Sequence, residues 1–214
     1  MITEAFLRLA LEGMKRVFCS EADFQHALAW QLHLSGFEPR VEWPHRDPES
    51  GKNAHIDIWV PGGDGAVAIE LKYRTKPLDV QLDDGTTFSL TDQSAQDWGR
   101  YEFLRDVKRL EDFGAQEARA AGFAILLTND PSYWGPGRKR QPLDSAFRLQ
   151  HGTVIPDTLS WPDEKPYRGK AQYPIKLGGK YVPNWRPYYD YEVADRKYGV
   201  FKYLLINVPC SSSD

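Results

Sequence analysis

HIDIWVPGGDGAVAIELKY, residues 55–73, is the stretch whose reading decides the fold. HIDIWV (55–60) alternates apolar and polar residues, the period of a half-buried strand. That period puts Ile56, Ile58 and Val60 on one face and His55, Asp57 and Trp59 on the other. PGGDG (61–65) is a tight-turn signal. AVAIELKY (66–73) then alternates again, with Val67, Ile69, Leu71 and Tyr73 opposite Ala68, Glu70 and Lys72. The pair reads as a hairpin that brings Asp57, Glu70 and Lys72 onto matching faces.

Upstream, Phe6, Leu9, Ala10, Met14 and Val17 recur at helical spacing over residues 3–18. Ser20 reads as an N-cap with Glu21 in the first turn, opening a helix that runs to about Leu34 and stops at Ser35-Gly36. Phe37 to Trp43 reads as a strand, followed by the polar loop PHRDPESGKN. Downstream, residues 74–92 form a polar connection with a short strand at Thr87–Leu90. Trp98, Tyr101, Leu104, Val107 and Leu110 predict a helix over 93–113, with Gly114 as its stop and a short helix from Ala115 to Ala121. FAILLTND (123–130) has the continuous apolar character of a buried central strand. Residues 131–186 are dense in Pro, Gly, aromatic and basic residues and show no period, and FKYLLINV (201–208) is a last strand. The order predicts one α/β domain over 1–214, a sheet with helices packed on it.

The chain is 41% hydrophobic and 27% charged, enough for a core without disulfides or a structural metal. Its two cysteines, Cys19 and Cys210, exclude a cysteine-built zinc site and fit a reducing, cytoplasmic setting. No apolar run approaches a membrane span, and the first residues read as an amphipathic helix rather than a signal peptide. The net charge of −3 is unevenly spread. Residues 1–130 hold 14 Lys/Arg against 22 Asp/Glu, whereas 131–186 hold 10 against 4. An acidic body with a basic segment suits a metal enzyme acting on a polyanion; a solvated loop region explains the same charges equally well.

Asp57, Glu70 and Lys72 are the residue types that phosphodiester hydrolysis requires. The phosphate is anionic and repels hydroxide, so a divalent cation must screen it. Mg²⁺, or Mn²⁺ in its place, takes hard oxygen ligands: here the Asp57 and Glu70 carboxylates, with the Leu71 carbonyl as a further candidate. Lys72 is a point charge that can orient the attacking water. The bare triplet is cheap, since Asp106-Val107-Lys108, Asp163-Glu164-Lys165 and Asp195-Arg196-Lys197 share its form. Only Glu70-Leu71-Lys72 sits in an apolar strand that follows an acidic strand through a tight turn. The plain alternative is a charged, wet face of an ordinary hairpin. No Ser or Cys nucleophile has a supporting His and acid, and no Gly-rich loop opens a helix after a strand. His55, on the Asp57 face, reads more simply as a surface histidine.

With these motifs in place, the chain resembles the PD-(D/E)XK nuclease superfamily. The resemblance covers about residues 20–130, with Asp57 in HIDIWV and Glu70 and Lys72 in AIELKY as the motif residues. It implies a restriction-endonuclease-like mixed central sheet flanked by helices. The final strand 201–208 would complete the core, and 131–200 would be an irregular basic and aromatic insertion. It implies that Glu21 in SEADFQ completes the metal site, although an acid in a helix's first turn also serves the helix dipole. It places Gln96 and Tyr101 near the phosphate; Tyr101 also lies on the apolar stripe of its helix. Of Arg105, Lys108 and Arg109, at most one is expected to do more than form solvated pairs. Arg138, Lys139 and Arg140 are candidate phosphate contacts. The implied activity is a Mg²⁺-dependent DNA endonuclease in restriction, defence or repair, as a candidate homodimer. The rivals are an RNA nuclease and a catalytically silent nucleic-acid-binding or assembly subunit.

Overall fold

The computed structural model describes residues 2–46, 51, 53–63, 65–116, 120–136, 144–162, 173–191 and 198–209. The chain opens with α1 (Glu4–Met14), capped by the Thr3 hydroxyl, which accepts the Phe6 N–H. The helix ends four residues short of its predicted limit, at Lys15 in the left-handed region (φ 38°). The buried stripe is Leu7, Ala10 and Leu11. Leu9 points out instead, 71% exposed, so the predicted stripe was set at the wrong angle. α2 (Glu21–Leu34) is capped as its sequence predicts, with the Ser20 hydroxyl accepting the Asp23 N–H.

The strands β1 (Arg40–Arg46), β2 (Asn53–Val60) and β3 (Val67–Arg74) form an antiparallel meander. β1 begins later than predicted and runs on into the expected loop. A hairpin follows, β4 (Leu78–Gln81) with β5 (Thr87–Leu90), of which only the second strand is legible in the sequence. α3 (Gln96–Gln116) passes through Gly114 and takes in Ala115 and Gln116, and Ala121 belongs to the next strand; 117–119 of the expected short helix lie outside the described residues. β6 (Ala121–Thr128) lies parallel to β3, in the register Glu70 to Ala124.

The later chain adds a short 3₁₀ turn (Ser145–Phe147), the two-residue strands β7 (Thr158–Leu159) and β8 (Ile175–Lys176), β9 (Arg186–Asp190) and β10 (Val200–Val208). The main sheet runs β1-β2-β3-β6-β10-β9, mixed in direction. Its two edges, β1 and β9, each carry a proline, Pro44 and Pro187.

Helices cover both faces. α1 and α2 pack on Ile58, Val60, Ile69, Leu71 and Tyr73. α3 and the later chain pack on Ala68, Ala124, Leu126 and Leu204. Each fully buried large apolar side chain in these layers contributes about 1.5–3 kcal/mol. α3 lies close to the sheet because Gly122 has no side chain: a Cβ there would stand 2.9 Å from Leu110 Cβ. No helix among the described residues is long and apolar enough to cross a membrane.

One strand departs from its predicted alternation. Ile58 and Val60 face α1 and α2, but Ile56 joins the opposite core. The cause is a break in the strand. The β1–β2 ladder pairs Val41 with Ile58 and Trp43 with Ile56 but does not pair Glu42 with Asp57. Glu42 takes a left-handed backbone (φ 52°), which is rare for a residue with a side chain. Across that break, Trp43 stacks on Trp59 with ring centroids 4.5 Å apart.

Candidate active site

The break falls at Asp57. The β2–β3 ladder pairs Val60 with Val67, Trp59 with Ala68 and Ile58 with Ile69, and it goes no further. Beyond that rung, the β3 edge presents backbone N–H groups that have lost their strand partner. Two carboxylates take them over. Asp57 Oδ2 accepts the Leu71 N–H at 2.6 Å, and Glu21 Oε2 accepts the Tyr73 N–H at 2.7 Å. A strand residue carries its N–H and C=O on the same edge. The Leu71 carbonyl therefore emerges beside these two carboxylates. The freed carbonyl of Asp57 accepts Gln25 Nε2 at 2.7 Å, and the same amide donates to Glu42 Oε1 at 2.9 Å. Gln25 thus pins both sides of the break from α2.

Glu70 and Lys72 project from the other face of β3, beneath α3. They are not on a wet face: Glu70 is only 1% exposed. Burial is permitted because α3 supplies counter-charges. Arg109 Nη1 donates to Glu70 Oε1 at 2.8 Å, and Arg109 Nη2 to Asp106 Oδ1 at 2.9 Å. Lys72 Nζ lies 3.0 Å from Asp106 Oδ2, and Asp106 is itself buried. The result is a chain of charges, Glu70–Arg109–Asp106–Lys72, that begins and ends on one strand. Asp106 belongs to one of the decoy triplets, yet its side chain is part of the centre.

The electrostatics follow from burial. Burial raises the Asp57 pKa to about 6; the Asp106 and Glu21 charges add to the rise, while the Leu71 N–H and Lys72 oppose it. Burial, then Asp106 and Asp57, push Glu70 well above the carboxylate range against the pull of Arg109 and Lys72. Burial disfavours the Lys72 ammonium, but Asp106, Glu21 and Asp57 outweigh it and hold Lys72 above the ordinary lysine range. Lys72 is therefore a fixed cation, suited to hold a charge or orient a water and not to take a proton. Four carboxylates (Asp57, Glu70, Asp106, Glu21) face two cations (Lys72, Arg109).

That excess of two carboxyl groups over cations, with donors that are all oxygen, fits a hard divalent ion such as Mg²⁺, whose charge would favour their ionised forms. Asp57, Glu70 and the Leu71 carbonyl would hold it, with Glu21 alongside. Glu70 is at present turned to Arg109, and among the described residues no three acidic, histidine or cysteine side chains converge into a metal cage.

The remaining sequence candidates lie elsewhere. Gln96 Nε2 donates to Asp130 at 3.0 Å, beyond the end of β6. Tyr101 is fully buried, and its hydroxyl bonds the backbone of Tyr173 in both directions, so it is a core residue and not a phosphate contact. Arg138, Lys139 and Arg140 lie outside the described residues. Their neighbours Tyr133 and Trp134 turn inward: Tyr133 is buried under Arg100, and Trp134 packs near Trp185. Of the three cations in the α3 run 105–109, Lys108 pairs with Asp112, Arg105 is exposed, and Arg109 alone enters the centre.

Sequence reasoning missed Gln25, Asp106 and the inward turn of Arg109. The one available signal was spacing: residues 106 and 109 are one helical turn apart and flank the apolar Val107 and Leu110. Set against known proteins, the chain matches no family model, no curated protein and no solved structure.

Proposed function

We propose that this chain is a metal-dependent nuclease of the PD-(D/E)XK type, hydrolysing phosphodiester bonds in nucleic acid, with DNA as the leading substrate. The observation that carries this reading is the strand break at Asp57. It sets a carboxylate on the Leu71 amide, between the buried Glu70 and Lys72. The element order supports it: an acid-bearing helix, an antiparallel meander, a crossover helix and a parallel strand beside the E-x-K strand.

A bound divalent ion would supply charge for the phosphate and acidity for the attacking water. The protein's own part is to position. Asp57 and Glu70 would hold the ion, with Leu71 contributing its carbonyl. Lys72, kept charged by Asp106, orients the water or stabilises the extra charge of the transition state. Gln25 fixes the backbone on which Asp57 rides.

The purified protein should cut nucleic acid with Mg²⁺ or Mn²⁺ and stop in EDTA. Assays on duplex DNA, single-stranded DNA and RNA would rank the substrates. Lys72→Ala and Glu70→Ala should each lower the rate by roughly a hundredfold or more. Cutting by Lys72→Ala at the wild-type rate overturns the mechanism.

The Arg109–Glu70 pair favours a second reading, a catalytically silent nucleic-acid-binding subunit in which the guanidinium stands permanently in the cation's place. Undiminished nucleic-acid affinity in a protein that binds no Mn²⁺ would select it.

A further inference from the structure

We propose that Arg109 and the divalent cation are competitors for Glu70, and that Arg109 is a phosphate-positioning residue once the cation displaces it. The inference rests on the nuclease reading above. Glu70 Oε1 accepts Arg109 Nη1 at 2.8 Å, and the same guanidinium holds Asp106 at 2.9 Å through its other nitrogen. The two bonds use different faces of one planar fork. Either can break while the other holds.

Asp106 is the fixed member. It is 2% exposed, lies on α3 and also neutralises Lys72 at 3.0 Å. Glu70 cannot give its charge to both partners at full strength. A buried carboxylate that lost Arg109 with no replacement would be stranded, so the exchange needs an incoming cation. A divalent ion on Asp57 and Glu70 meets that need and leaves Arg109 anchored by Asp106 alone. Its freed Nη1 would then face the site, where a phosphate oxygen would be its natural partner.

The test is Mn²⁺ affinity without nucleic acid, by electron paramagnetic resonance, in wild type, Arg109→Met and Glu70→Gln. Removal of the competitor should tighten Mn²⁺ binding in Arg109→Met by about tenfold, the worth of one charge-assisted hydrogen bond. Glu70→Gln should lose it. Equal or weaker binding in folded Arg109→Met overturns the proposal. If neither protein binds Mn²⁺, the metal reading falls as well, so the two failures are distinct. If only Arg109→Met binds, competition holds and the wild type is the silent subunit.

Should Arg109→Met not fold, wild type labelled with ¹⁵N-arginine gives the same answer. The Arg109 side-chain resonance, assigned by its loss in Arg109→Lys, should shift as Mg²⁺ saturates the site. A resonance that stays still at saturation overturns the proposal.

Discussion

Asp57 is held where its charge is costly. Its pKa in the folded protein is about 6, against an ordinary 3.8, so folding favours the neutral acid. Below pH ~3 both states are protonated and the residue costs nothing. As the pH rises, the unfolded chain ionises first, and the penalty grows until the folded carboxyl also ionises near pH 6. Above that it is constant, on the order of 3 kcal/mol. Asp57→Asn keeps an oxygen for the Leu71 N–H and removes the charge. In EDTA at pH 8 it should melt higher by roughly 6–12 °C, and the gain should vanish towards pH ~3. A calorimetric series across that range checks the sign. An unchanged or lower melting temperature at pH 8 would mean that the charge is already compensated in the metal-free protein. A centre that is destabilising when empty is the expected cost of a site prepared for a cation.

At the level of elements, what a sequence shows is what alternation can carry. β3 was legible because Val67 to Tyr73 keeps strict period two, so the faces of Glu70 and Lys72 followed directly. β2 was legible only up to its break. Period two placed Ile56 beside Ile58, and nothing in HIDIWV announces that Glu42, fifteen positions earlier, takes a left-handed backbone. Asp106 and Arg109 were hidden for another reason. On a helix, acid and base one turn apart read as a solvated pair, and only packing reveals that these two face a buried strand. α3 can deliver them because it sits close to the sheet over Gly122. Gly122→Ala would press against Leu110 Cβ at 2.9 Å and Val208 Cβ at 3.2 Å, both near rigid backbone. It should destabilise the fold by about 1–3 kcal/mol in urea titration and lower any cleavage rate with it. A neutral effect would show that α3 can shift without loss.

On the scale of the whole molecule, the later chain is a second layer fastened to α3. The basic and aromatic composition of 131–186 suggested ligand contacts, yet Tyr133, Tyr181 and Trp185 are buried. Among its described residues the segment shows no period because its strands are only two residues long or lie at the far edge. One of the fastenings is a single carboxylate. Glu111 on α3 accepts the N–H groups of Gly178 and Gly179 and the hydroxyl of Tyr181, all within 3.0 Å. Glu111→Ala would strand those donors at a cost of about 1–3 kcal/mol. Hydrogen exchange should then speed up at Gly178 and Gly179 while β3 and β6 stay protected. If exchange at β3 rises equally, the layer is part of the cooperative core.

The prolines of the two outer strands bear on how copies of the chain could meet. An open sheet invites growth, because each outer strand offers a row of main-chain donors and acceptors to a neighbour. Pro44 and Pro187 lack the donor, and their rings stand in the way of a close-fitting strand. On one border Arg40, Glu42 and Arg46 add exposed charge. Both borders are thus poor templates for a further strand, which protects against fibrous aggregation. Two copies cutting opposite strands of a duplex would then have to meet through helices or side chains, each keeping its own sheet closed to the other.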